Sequence, residues 1–167
     1  GWFLFGSARS GLAALLRSTG IGSGDEVVVS SYTCLAVPTA IVAVGATPVY
    51  VDINSDSLNI DKTMLWKAVT EKTKAIIVQH TLGIPAAIDE IKNEAFDRDI
   101  ILIEDCALAI GSKINQRRVG TIGDAAIFSM ELSKTLSCGW GGLLLVNNPR
   151  LVTEMSHFYA SVPEQDV

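Results

Sequence analysis

The chain has 167 residues, enough for one α/β core and too few for two ordinary domains. Hydrophobic residues make up 49% and charged residues 19%, which excludes disorder. The net charge of −5 argues against unaided binding to nucleic acid or to an anionic membrane.

The opening G-W-F-L-F-G has no basic n-region, so it is not a signal peptide. It also lacks an initiator Met, and the chain reads as a fragment of a longer protein. A helix is predicted over Arg9–Arg17, then a strand over Glu26–Ser30 (E-V-V-V-S). The apolar stretch Cys34–Val51 is long enough to span a membrane, but Gly45 and Thr47-Pro48 divide it into helix, turn and strand. That gives a helix over Leu35–Val44 and a strand over Pro48–Val51. A helix over Asp61–Val69 and a strand over Ala75–Gln79 (A-I-I-V-Q) follow. The helix Ala87–Phe96 places Ile88, Ile91, Ala95 and Phe96 in one stripe among charged residues. A strand over Ile100–Glu104 comes next. Lys113–Gly123 reads as a polar excursion or hairpin. Strands at Ala125–Ser129 and Gly142–Val146 and a helix at Arg150–Tyr159 close the pattern.

Several strands are continuous Val/Ile/Leu runs, as expected when both faces are covered. Strand alternating with helix implies right-handed crossovers, a mostly parallel sheet and a three-layer α/β/α architecture. Ligands bind such sheets at the carboxyl ends of the strands. The polar residues there are Ser30–Thr33, Gln79–Thr81, Glu104-Asp105 and Ser129–Glu131. Cys34, Cys106 and Cys138 show no C-x-x-C spacing, and only His80 and His157 offer imidazoles. This argues against a disulfide scaffold and a zinc site and for a reducing cytoplasm. Cys106 and Cys138 read as small core residues, and His157 as exposed.

Three places have the makings of chemistry. Asp105 ends a buried run, where a charge needs a cationic partner; the alternative is a helix N-cap before Cys106. Lys134 lies between two buried strands, five residues after Ser129 and just before a Gly cluster. It is either a solvated surface lysine or an amine that readily loses its proton in an apolar site. Gly6–Ser10 opens the first helix, where backbone N–H groups and hydroxyls suit a phosphate, or where Ser7 is a simple N-cap. One cofactor uses all three: pyridoxal 5′-phosphate (PLP), with its phosphate, aldehyde and pyridine nitrogen.

The stretches G-S-A-R-S-G-L, G-S-G-D-E-V-V-V-S-S-Y-T, G-A-T-P-V-Y-V-D-I, T-K-A-I-I-V-Q-H, L-I-E-D-C-A, R-R-V-G-T-I-G-D-A-A-I-F-S and S-K-T-L-S-C-G-W-G-G occur in order. Together they resemble the large PLP-binding domain of the DegT/StrS-type sugar aminotransferases, which are fold-type-I PLP enzymes. The resemblance covers nearly all of the chain, as a partial large domain without the extreme N-terminus and the C-terminal small domain. It implies that Lys134 forms the internal aldimine, that Asp105 meets the pyridine nitrogen, and that Ser129 and the backbone at Ser7 and Ala8 hold the phosphate. Cys34 stands where relatives stack an aromatic on the ring. Leu108 stands where they have Gln or His near the ring hydroxyl, and Trp140 where they often have an acid. His80 falls in the substrate pocket or equally suits a histidine bonding the turn to Gly83; Tyr32 either lines that pocket or merely packs. The resemblance further implies amino-group transfer from glutamate to a nucleotide-linked keto sugar, in a cytoplasmic homodimer. Alternatives are a deoxysugar dehydratase, against which Lys134 counts, a degenerate regulatory or partner-binding relative, and a non-PLP phospholigand-binding α/β domain.

Overall fold

The computed structural model describes residues 1–162. Its elements are β1 (Trp2–Phe5), α1 (Ala8–Ser18), β2 (Glu26–Ser30), α2 (Ala36–Ala43), β3 (Thr47–Val51), α3 (Lys62–Ala68) and β4 (Thr73–Gln79). Next come α4 (Ile88–Asp97), β5 (Ile101–Asp105), the two-residue strands β6 (Lys113–Ile114) and β7 (Arg117–Arg118), β8 (Ala125–Ser129), β9 (Gly142–Val146) and α5 (Pro149–Ser161). Seven strands form one sheet in the order β1-β9-β8-β5-β4-β2-β3. The neighbours from β8 to β3 are parallel.

The alternation of side chains along each buried strand feeds two cores at once. Val27 and Val29 of β2, with Ala75 and Ile77 of β4, face Leu12, Leu15 and Leu16 of α1, Ile41 of α2 and Met155 of α5. Val28, Ile76 and Val78 face the other way, toward Leu65 of α3 and Ile88 and Ile91 of α4. Helices therefore cover both faces, giving the expected three layers, and no described helix is long and apolar enough to cross a membrane.

The sheet is mostly parallel as expected; two of its features were not anticipated, and two expectations need correction. β9 runs antiparallel to β8, because the connection Met130–Gly141 contains no crossover helix and returns directly. β1 was not anticipated; it pairs antiparallel with β9 at the sheet edge. Phe96 is 82% exposed, since at about 100° per residue it lies off the stripe of Ile88, Ile91 and Ala95. Cys138 is exposed in the β8–β9 loop, while Cys106 is buried as expected. The excursion Lys113–Gly123 does contain a hairpin, β6 with β7.

The sheet order reverses at β2, whose neighbours are β3 on one side and β4 on the other. A crevice opens beyond the carboxyl ends of strands at such a switch point.

Candidate active site

Two adjoining hollows of about 260 and 290 Å³ lie along this edge and share Cys34, Asp105, Ala107 and Lys134. The first is walled by Tyr32 and Thr33 after β2, by Gln79 to Leu82 after β4, and by Leu108 after β5. The second is walled by Ser7, Ala8 and Arg9 at the start of α1, by Ser129 and Glu131 around the end of β8, and by Trp140 and Gly141. Every residue expected at the site lies in one or both hollows, and the sizes suit a small molecule.

Asp105 ends β5 and is 4% exposed. The alternative role, a helix N-cap, is absent because no helix follows. Its Oδ1 accepts the Ala107 N–H at 3.0 Å and so closes a local turn. Burial pushes its carboxyl above the usual carboxylate range; the Ala107 N–H and the charge of Lys134 offset this only in part. One hydrogen bond is little for a buried carboxyl beside a hollow, and a cation there would remove the strain on its ionised form.

Lys134 is half-buried in the β8–β9 loop. The loop is tied at its base by Met130 N–H to Gly141 O (2.9 Å) and by Cys138 N–H to Met130 O (3.1 Å). Lys134 N–H donates to Glu131 O at 2.9 Å in a tight turn that directs the side chain to both hollows. Trp140 overhangs the second hollow and is 75% exposed.

Ser7 caps α1: its Oγ accepts the Ser10 N–H at 3.1 Å and lies 2.8 Å from Ser10 Oγ. The N–H groups of Ala8 and Arg9 have no intrahelical acceptors, and both residues line the second hollow with Ser129. Gly142 makes this juxtaposition possible. A Cβ there would overlap Ala8 N and Ser7 C, so only glycine lets β9 pass so close to the start of α1.

His80 forms part of the first hollow's wall, but its ring nitrogens point elsewhere. Nε2 lies 2.9 Å from Glu104 Oε2, and Nδ1 accepts the Ala86 N–H at 3.0 Å. The bond expected toward Gly83 is a backbone one, Gly83 N–H to His80 O at 3.2 Å. Glu104, whose role the sequence reading did not assign, is fully buried. Burial alone would push its carboxyl up. His80 and the N–H groups of Gly120, Gly123 and Ile122 outweigh that and hold it below the usual range. His80, Glu104 and Cys106 lie close enough to suggest a metal site. The imidazole and carboxylate are already saturated, however, and burial, with the charges of Glu104 and Asp105, pushes the Cys106 thiol far up. The cluster is therefore not poised to hold a metal ion.

The donor set fits PLP: a buried carboxyl with one bond for a cationic ring nitrogen, an amine in the same cleft for an aldehyde, and a helix start with two hydroxyls for a phosphate. Leu108 offers the ring hydroxyl no hydrogen bond, and Cys34 offers a thiol rather than a stacking ring.

A model of the DegT/DnrJ/EryC1/StrS aminotransferase family matches residues 4–163. The L-glutamine:2-deoxy-scyllo-inosose aminotransferase of Streptomyces kanamyceticus is 40% identical over 156 residues, covering 92% of this chain and 36% of that protein. The structure of an aminotransferase from Psychrobacter cryohalolentis superposes with a TM-score of 0.89 at 33% identity, over 99% of this chain and 44% of that one. The PLP form of a putative sugar aminotransferase from Streptococcus pneumoniae gives 0.86 at 30% identity, over 95% and 44%. The chain thus spans well under half the length of the relatives it matches.

Proposed function

The chain belongs to the DegT/DnrJ/EryC1/StrS aminotransferase family, and we propose that it is the cofactor-binding core of a PLP-dependent enzyme that moves an amino group from glutamate to a nucleotide-linked keto sugar. The observation that supports this reading most is the shared cleft of Asp105 and Lys134. Bound PLP supplies an electron sink, which works best when its ring nitrogen is protonated. Asp105 is suited to hold that proton in place, because a buried carboxyl gains most from a cationic N–H. Lys134 would supply the amine for the cofactor's aldehyde, whose oxygen leaves as water, and would hold or move a proton at Nζ. The first-turn N–H groups at Ser7 and Ala8, with Ser129 Oγ, receive the phosphate at the positive end of α1.

Tyr32 lines the first hollow, on the side this reading gives to the substrate; His80 shapes that wall while both its ring nitrogens bond elsewhere. The full-length protein is a cytoplasmic homodimer on this reading, and residues 1–167 are the larger part of its PLP-binding domain. The exposed Leu35, Leu132, Leu136 and Trp140 around the cleft are the surface that further protein would cover.

The test is a visible absorbance scan of the full-length protein with PLP, followed by glutamate and a keto sugar nucleotide. The proposal predicts a yellow species that borohydride bleaches, and amino transfer from glutamate. Colour without transfer would favour a relative with another role, and no colour would refute the PLP reading.

A further inference from the structure

Glu104 precedes Asp105, so the alternation of β5 sends their side chains to opposite faces of the sheet. Asp105 meets the cleft. Glu104 is 0% exposed on the far side, where its two oxygens take four hydrogen bonds. Oε1 accepts the Ile122 and Gly123 N–H groups, each at 2.7 Å. Oε2 accepts the Gly120 N–H at 2.7 Å and faces His80 Nε2 at 2.9 Å. Because His80 Nδ1 accepts the Ala86 N–H, the ring proton must be on Nε2, so the ring is the neutral Nε2–H tautomer.

Burying a carboxylate this completely is expensive, and apolar residues of like volume would hold a core at least as well. The location is what distinguishes the network. It lies on the far face of the strand that ends in Asp105, and it ties that strand to the end of β4 and to the segment that leads into β8, whose carboxyl ends line the cleft. His80 stands between Gln79 and Thr81, and its own N–H donates to Asp105 O at 3.1 Å. The segment from Gly120 to Gly123 leads into β8 and Ser129. A Cβ at Gly123 would sit 2.7 Å from Leu102 O and 3.2 Å from Glu104 Cγ, so this segment packs against β5 without slack. Asp105 itself has only the Ala107 N–H to orient its side chain.

We infer that Glu104 and His80 are positioning residues that fix Asp105 toward the ring nitrogen of PLP. The inference rests on the proposed PLP site. Glu104 acts through the backbone it shares with Asp105; His80 acts by bridging the end of β4 to Glu104 and to the turn at Ala86.

A double-mutant cycle in the full-length protein tests it, with PLP dissociation constants from absorbance titration and thermal midpoints measured without cofactor. Glu104→Gln should weaken PLP binding about tenfold in the wild-type background and less than about twofold in Asp105→Asn. Should Glu104→Gln fail to fold, His80→Gln and His80→Leu replace it. The Gln amide can donate to Glu104 and accept from Ala86, so it should restore most of the affinity that Leu loses. Equal losses in both backgrounds, or a lower midpoint with unchanged affinity, would make the network purely structural and overturn the inference. A wild type that binds no PLP would overturn the proposed function as well, so the two failures are distinguishable.

Discussion

Asp105 and Glu104 are neighbours in sequence with opposite titration behaviour. Glu104 is held below its ordinary value of 4.5, so its contribution to stability is complete above that value and is lost as the pH falls through the lowered one. Removing its charge by Glu104→Gln should cost about 3 kcal/mol at neutral pH, and the deficit should shrink on acidification. Denaturant unfolding of both proteins across the acidic range checks this. Asp105 is pushed above 3.8, so its ionisation costs stability as the pH rises from that value through the raised one. Asp105→Asn should therefore leave the cofactor-free protein as stable as wild type at neutral pH, or more so. It should also slow amino transfer far more than it weakens covalent PLP attachment, because the electron sink needs the ring proton. Equal turnover of the two proteins, measured with saturating PLP, would remove Asp105 from this role. The acidic pair was visible in the sequence at the end of I-I-L-I-E-D. The contrast between the two was not, because the groups that stabilise Glu104 come from residues 80, 120, 122 and 123.

Among the elements, the five parallel strands were legible because each is a short unbroken apolar run followed by polar residues. Their helices were legible as helical patterns between those runs, one of them by the stripe of Ile88, Ile91 and Ala95, with ends displaced by a residue or two. β1 was not, because four apolar residues at an edge have no local signature, and their partner β9 lies some 140 positions away. The direction of β9 was equally hidden, since it depends on what the β8–β9 loop does in space. That loop and the start of α1 come together through Gly142, whose role is steric. Gly142→Ala should force the first turn of α1 outward, destabilise the fold by at least about 1–3 kcal/mol, and weaken PLP binding through the phosphate end. Thermal unfolding and PLP titration of that variant measure the two effects separately.

For the molecule as a whole, the apolar rim around the cleft has consequences for assembly. Leu35, next to Cys34, and Leu132, Leu136 and Trp140, in the loop that contains Lys134, are each more than half exposed. Exposed groups of this kind drive association. Sedimentation should find the full-length protein dimeric and the isolated 167-residue chain self-associated and weak in PLP binding. A monomeric chain that binds PLP tightly would show the rim to be ordinary surface. The most direct test of the central claim is to reduce the PLP-loaded full-length protein with borohydride and map the labelled peptide by mass spectrometry. The account predicts a stable pyridoxyl phosphate adduct on Lys134, absent from a correctly folded Lys134→Ala variant. An adduct on another lysine, or one that persists in that variant, would contradict it.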